Sequence, residues 1–237
     1  MTLNPAPPVP VKSIVREYLE MLVGAVILAL FVRAFIFQAF KIPTGSMEPN
    51  LLIGDHLLVD KLVFSPSLGS FEDILFAKRP IRRGDVLVFK FPEDPTRDFI
   101  KRTIGLPGET FEIQDKQVLI DGQSLTETSY AHFLEPPLKR TDPDYGLVGE
   151  DIRDNFGPQK IPAGQLMMMG DNRDNSRDSR FWGTLPLSQV KGRAVVVYWS
   201  YEASREEYQQ GASFQWVKDT LSAFGRTRWS RSFHVIR

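Results

Sequence analysis

Residues Met21–Phe40 read MLVGAVILALFVRAFIFQAF, a run with a single charge, Arg33. At ~1.5 Å per helical residue such a run covers ~30 Å, the thickness of a bilayer's hydrocarbon core. From Leu22 to Val32 every helical face is apolar, whereas a buried helix of a soluble body usually shows a polar stripe. The run ends in Phe35, Ile36, Phe37 and Phe40, not in the small-x-small site of a cleaved leader. Arg33 lies near one end, where its long stem lets the guanidinium reach the headgroups. The sequence therefore predicts an uncleaved anchor over residues 18–40. It is preceded by a tail (residues 1–17) and followed by a water-soluble body on one side of the membrane (residues 41–237).

The flanks add little about orientation. Asn4–Pro10 is proline-rich and expected to be disordered. Lys12 and Arg16 precede the anchor, Arg33 and Lys41 stand at its far end, and this balance of basic residues leaves the direction of insertion open. In the body, short alternating runs broken by Gly and Pro read as strands. They are predicted at His56–Leu62, Asp85–Phe91, Phe99–Ile104, Thr110–Ile113, Gln117–Ile120, Gln165–Met169 and Arg193–Trp199, with turns at Arg83-Gly84-Asp85 and Asp121-Gly122. No strand alternates with a long helix, which disfavours a doubly wound sheet. Residues 121–160, most irregular from Glu135 to Pro158, read as a small excursion from a single mostly β domain.

Composition excludes several chemistries. The 29 basic and 29 acidic side chains balance, against a general nucleic-acid binder. With no cysteine there is no disulfide, thiolate metal site or cysteine nucleophile. His56, His132 and His234 share no helical spacing, and no glycine-rich phosphate loop occurs. Asp171, Asp174 and Asp178 lack the glycine and closing glutamate of a calcium loop, so neither metal nor cofactor is expected.

Three polar segments remain. Ile42-Pro-Thr-Gly-Ser-Met-Glu-Pro-Asn50 is a tight turn; it is either an ordinary connection out of the anchor or a device presenting Ser46 as a nucleophile. At most ~3.5 Å per residue separates Ser46 from the anchor, which puts any reaction within ~20 Å of the bilayer. A serine needs a base, and Asp98–Glu109 offers Lys101, flanked by Phe99, Ile100 and Ile104. Alternation sends Lys101 and Arg102 to opposite faces. A solvated Lys101 would be inert, whereas one in an apolar pocket loses proton affinity and can accept a serine proton. The third segment, Gly170–Gly183, contains GDNRDNSRDSR and follows the apolar Leu166–Met169 directly. It reads either as solvated Asx turns or as a side-chain network bracing a buried lysine.

Together these segments resemble the boxes of the bacterial type I signal peptidases, membrane-anchored serine proteases with a Ser/Lys dyad. Ile42–Lys61 resembles the nucleophile box, Gly84–Pro92 and Asp98–Glu109 the lysine boxes, and Gly170–Pro186 the Asp/Asn/Arg-rich box. The resemblance implies an antiparallel β-sheet body, Ser46 as nucleophile and Lys101 as general base. It further implies Thr44 as a hydroxyl donor to the oxyanion hole, where relatives often have Ser. Ser176 would hydrogen-bond the lysine, and Asp178 and Arg180 would form a supporting ion pair. The implied partners are membrane lipid and secretory precursors, cut after a small-x-small motif such as Ala-x-Ala. The implied location is the bacterial cytoplasmic membrane, crossed once, with the N-terminus inside and the body on the outer face.

Two rivals differ in kind. A self-cleaving repressor with the same dyad would carry a DNA-binding domain and no anchor. A non-catalytic, membrane-tethered β-domain binding exported peptides would have no need of Ser46 and Lys101 together. The C-terminal Arg226, Arg228, Arg231 and Arg237 with Trp229 and Phe233 read either as a membrane-interface patch or as a solvated or core-packed end.

Overall fold

The computed structural model describes residues 13–64, 79–137, 151–202 and 225–236. Helix α1, Ile14–Phe31, runs on into a π-helical turn, Val32–Ile36, and buries none of its residues. The helical stretch Ile14–Ile36 is 23 residues long and contains an 18-residue window of mean hydropathy 2.3, long and apolar enough to cross a bilayer by length and composition.

The apolar run outlasts the helix. Phe37–Lys41 forms strand β1, antiparallel to β2 (Asp55–Asp60), in register from Phe37↔Asp60 to Lys41↔His56. The helix thus covers Ile14–Ile36 instead of the predicted 18–40. The physical reason is that apolarity serves two solvents here. None of the residues from Ile14 to Ile36 is buried, while Phe40 packs against the body's core. The backbone N–H of Lys61 donates to the Ile36 carbonyl (2.9 Å) and its ammonium to that of Ala34 (2.6 Å), which ties the helix end to the sheet.

The remaining strands are β3 (Val86–Phe91), β4 (Asp94–Gly105), β5 (Thr110–Gln114), β6 (Gln117–Ile120), β7 (Gln123–Ser124), β8 (Phe156–Lys160), β9 (Gln165–Met169), β10 (Leu185–Pro186), β11 (Val190–Ser200) and β12 (His234–Val235). The larger sheet has the order β1-β2-β11-β3-β4-β9-β10, with β12 added on β11. The smaller has the order β7-β6-β5-β8, and every pairing is antiparallel. Asp121-Gly122 forms the turn from β6 to β7, both residues at positive φ. The stretch read as an excursion contributes β7 and β8 to the smaller sheet; residues 138–150 lie outside the described ones.

Alternation distributes the core. In β9, Met167 and Met169 pack with Phe111, Ile113 and Val118 of the smaller sheet, while Leu166 and Met168 join Leu87, Phe89 and Leu185. A third cluster gathers Ile42, Met47 and Leu51 with Leu57, Val88 and Val197. β4 lies between β3 and β9, at the centre of this packing.

The C-terminal stretch closes on the body. Arg231 pairs with the fully buried Asp55 (2.6 Å) and Arg228 donates to the Ser200 hydroxyl (2.9 Å), while Ile236 is buried. Trp229 and Phe233 stay exposed, and Arg237 lies outside the described residues.

Candidate active site

The site begins where β1 ends. Ile42 is buried, and Met47 and Leu51 are sunk in the core, so the 3-10 turn Gly45–Met47 is held from below with Ser46 half-buried on top. From above, Asn172 grips the same turn. Its backbone N–H donates to the Ser46 carbonyl (3.2 Å) and its side-chain amide to the Gly45 carbonyl (3.1 Å). Gly170 stands against this turn, and a Cβ there would overlap both the Ser176 hydroxyl and the Ser46 carbonyl oxygen. Only glycine allows that approach.

Lys101 reaches the turn from β4, opposite Leu87 of β3. Its Nζ lies 2.6 Å from Ser46 Oγ and donates to the Ile100 carbonyl at 3.0 Å. The side chain is 4% exposed and, among the described residues, no carboxylate touches it; the Phe99 ring sits 5.5 Å from Nζ. Burial pushes its pKa down to about 8, partly opposed by the negative charges of Asp178 and Asp171. A sizeable neutral fraction at mildly alkaline pH follows from that dry pocket.

Arg102 takes the opposite face of β4, as alternation requires, and is equally buried. Its guanidinium makes a bidentate pair with Asp171 (2.7 and 2.7 Å), and Asp171 also accepts from Asn50 (2.8 Å). The polar loop is thus an internal network, not a solvated one. The three aspartates diverge to separate cations: Asp171 to Arg102, Asp174 to Lys116 (2.7 Å) and Asp178 to Arg180 (2.8 Å). Burial opposes ionisation of Asp178, but the Arg180 charge, its hydrogen bonds and the Gly170 N–H outweigh this and hold the carboxyl below its ordinary range. Arg180 in turn donates to the carbonyls of Arg153 and Arg173.

Of the residues singled out in sequence, Ser46 and Lys101 meet directly and Asp178 and Arg180 form the ion pair. Thr44 lines the same cleft just before the turn. Ser176 is also there and buried, but the hydrogen bonds of Lys101 go to Ser46 and Ile100 and not to the Ser176 hydroxyl. The close stacking of Ser176 on Gly170 accounts for its position. Asn172, Asn50 and the Arg102–Asp171 pair are site residues that sequence reasoning did not assign. His56 is no rival base: burial, reinforced by the Lys41 charge, lowers its pKa to about 4, and it packs against Trp199 at 4.7 Å.

Ser46 and Lys101 open into a cleft of about 840 Å³. Its lining includes Phe40, Ile42, Val88 and Ile100, which belong to one core cluster, with Thr44 beside them, and the aromatic rings of Phe91, Phe99 and Phe181.

The family model for signal peptidase, peptidase S26, matches residues 15–199. The chain belongs to this family. Among its relatives, signal peptidase I of Leptolyngbya laminosa is 40% identical over 74% of this chain and 75% of its own length. Signal peptidase I of Pseudomonas fluorescens is 35% identical over 80% and 74%, and that of Aquifex aeolicus 34% identical over 93% and 96%. A crystal structure of a signal peptidase I from Enterococcus faecalis V583 matches 48% of this chain and 97% of its own at 30% identity, with a TM-score of 0.36. The peptidase S26 match runs from α1 through β11, so it spans the Ser46 turn, Lys101 and the polar loop together.

Proposed function

We propose that this signal peptidase is a membrane-bound serine endopeptidase that uses Ser46 as nucleophile and Lys101 as general base to remove N-terminal signal peptides from secretory precursors. The observation that carries the reading is the 2.6 Å approach of Lys101 Nζ to Ser46 Oγ in a pocket without a carboxylate at the amine. Neutral Lys101 takes the Ser46 proton as Oγ attacks the scissile carbonyl carbon. The oxyanion of the tetrahedral intermediate is met by the Ser46 amide and the Thr44 hydroxyl. The lysine then gives its proton to the leaving amine, and the mature chain departs. Water, activated by the same amine, releases the signal peptide from Ser46. Asp178–Arg180 and Arg102–Asp171 keep the loop and β4 in place around the dyad.

A small-x-small motif such as Ala-x-Ala fits a shallow cleft beside the dyad. The link from α1 through β1 to Ser46 keeps that cleft close to the membrane, with the body on the outer face of the cytoplasmic membrane and the N-terminus inside. The test is incubation of the detergent-solubilised chain with a precursor bearing an Ala-x-Ala site, beside Ser46→Ala and Lys101→Ala variants, read by mass spectrometry. A single cut after the second Ala, lost in both folded variants, supports the reading. A folded wild type that binds the precursor and leaves it whole would make this a peptide-binding domain instead.

A further inference from the structure

Beyond Lys101, the cleft's aromatic wall carries two guanidinium groups. Residues 97, 99 and 101 share one face of β4. The Arg97 guanidinium stands 5.5 Å over the Phe99 ring, the same ring that Lys101 Nζ approaches at 5.5 Å. Phe99 is stacked on Phe91, with centroids 4.1 Å apart and planes 7° from parallel, and Arg177 stands 6.0 Å over Phe91. Both arginines line the cleft, and both are exposed.

The charges around them do not cancel within the wall. Among the described residues Arg97 has no acid in ion-pair contact, and Asp94 acts on it only at longer range while bonded to Thr96. Among the described residues Arg177 is paired only with Glu93, and with side chains 66% and 45% exposed that bridge is weak and exchangeable. The two acids that line the cleft are engaged elsewhere: Asp98 with Lys191 (2.7 Å), and Asp174 with Lys116 and the backbone N–H groups of Leu134 and Glu135. A guanidinium laid on an aromatic face keeps its edge donors free for a carboxylate.

Resting on the peptidase reading above, we infer that Arg97 and Arg177 form a subsite for an acidic side chain within the first two residues after the scissile bond. The side of the cut follows from the chain path. The Phe40–Thr44 lining grows directly out of the anchor through β1, so a precursor whose signal peptide lies in the bilayer runs along it up to Ser46. Past Ser46 and Lys101 it meets the aromatic–arginine wall.

The experiment uses three precursors identical except for Glu, Gln or Lys at the second position after an Ala-x-Ala site. Their kcat/KM values are compared for the full-length chain and its Arg97→Gln/Arg177→Gln variant. Exposed ion pairs give roughly two- to fivefold each, so the wild type prefers Glu to Lys by about fivefold or more, and the double variant loses most of that ratio. Raising salt to about 0.5 M compresses the wild-type ratio, a readout independent of how the variant folds. A wild-type ratio near one, or a ratio unmoved by salt and by the double variant, would overturn the subsite. With the Gln precursor cut by the wild type and spared by Ser46→Ala, that failure leaves the peptidase reading standing. No cut in the Gln precursor ends both.

Discussion

Lys101 and Lys116 are the same side chain buried to nearly the same degree, 4% and 8% exposed, in two regions that treat it in opposite ways. Lys116, at the turn between β5 and β6, has Asp174 at 2.7 Å and Asp154 at 3.7 Å, and donates to the Glu135 carbonyl. It joins the smaller sheet to the polar loop and is a structural cation. Lys101 has a hydroxyl and a carbonyl in place of carboxylates. A buried ammonium without a counter-ion gives up its proton more readily. Under the proposed mechanism, the chemistry falls to the buried lysine that has no carboxylate beside it.

Substitutions that erase each lysine sharpen the contrast. The largest effect is on turnover. Lys101→Met lowers cleavage of an Ala-x-Ala precursor by about 10³-fold or more through loss of general-base catalysis, measured as kcat by mass spectrometry. Activity retained by that variant would put the base elsewhere. Next come the stabilities, measured by urea denaturation at pH 7. Lys116→Met removes one of the cations at buried Asp154 and Asp174, which keep Arg153 and, for Asp174, the backbone N–H groups of Leu134 and Glu135, and lowers stability by roughly 1–3 kcal/mol. Lys101→Met goes the other way. Its pKa is about 8 in the fold against an ordinary 10.5, so the protonated form is disfavoured on folding. That penalty is fully present below pH 8 and fades as pH rises toward 10.5. Removing it gains about 3 kcal/mol at neutral pH, an upper figure because the cavity must also repack. If both variants lose stability alike, the contrast is gone.

The pH profile follows with a smaller amplitude. Only neutral Lys101 accepts a proton, so kcat/KM falls about tenfold per pH unit below an inflection near 8. Smaller still is the effect of Asp178→Asn. Asp178 is the leading charge that raises the Lys101 pKa, so its neutralisation moves that inflection to lower pH. An inflection that rises or stays put would contradict the electrostatic account.

Much of this architecture is legible in the sequence because alternation and turn chemistry are local. β2, β3, β4, β5, β6, β9 and β11 all fall on predicted runs, and Asp121-Gly122 turns as read. The strands not anticipated have local reasons. β8 contains Gly157 and Pro158, β7, β10 and β12 are two-residue additions, and β1 hides at the end of an apolar run. At the site, Ser46 and Lys101 are legible through their turn and their alternating strand. The partners of the polar loop are not. Asn172 meets the Ser46 turn across more than a hundred residues, and Asp171 finds Arg102 across 69. Spacing carries no trace of such contacts. Ser176 shows the reverse: its place in the motif is plain, yet its hydroxyl is not the group that Lys101 meets.

The most direct test is a titration of Lys101 itself, followed by carbon-13 NMR of ε-labelled lysine in the Ser46→Ala protein, with Lys101→Met to assign the resonance. The expected inflection lies near pH 8, well below the ordinary lysine value. An inflection near pH 10.5 would mean that Lys101 stays protonated at neutral pH, and the proposed general base would fail.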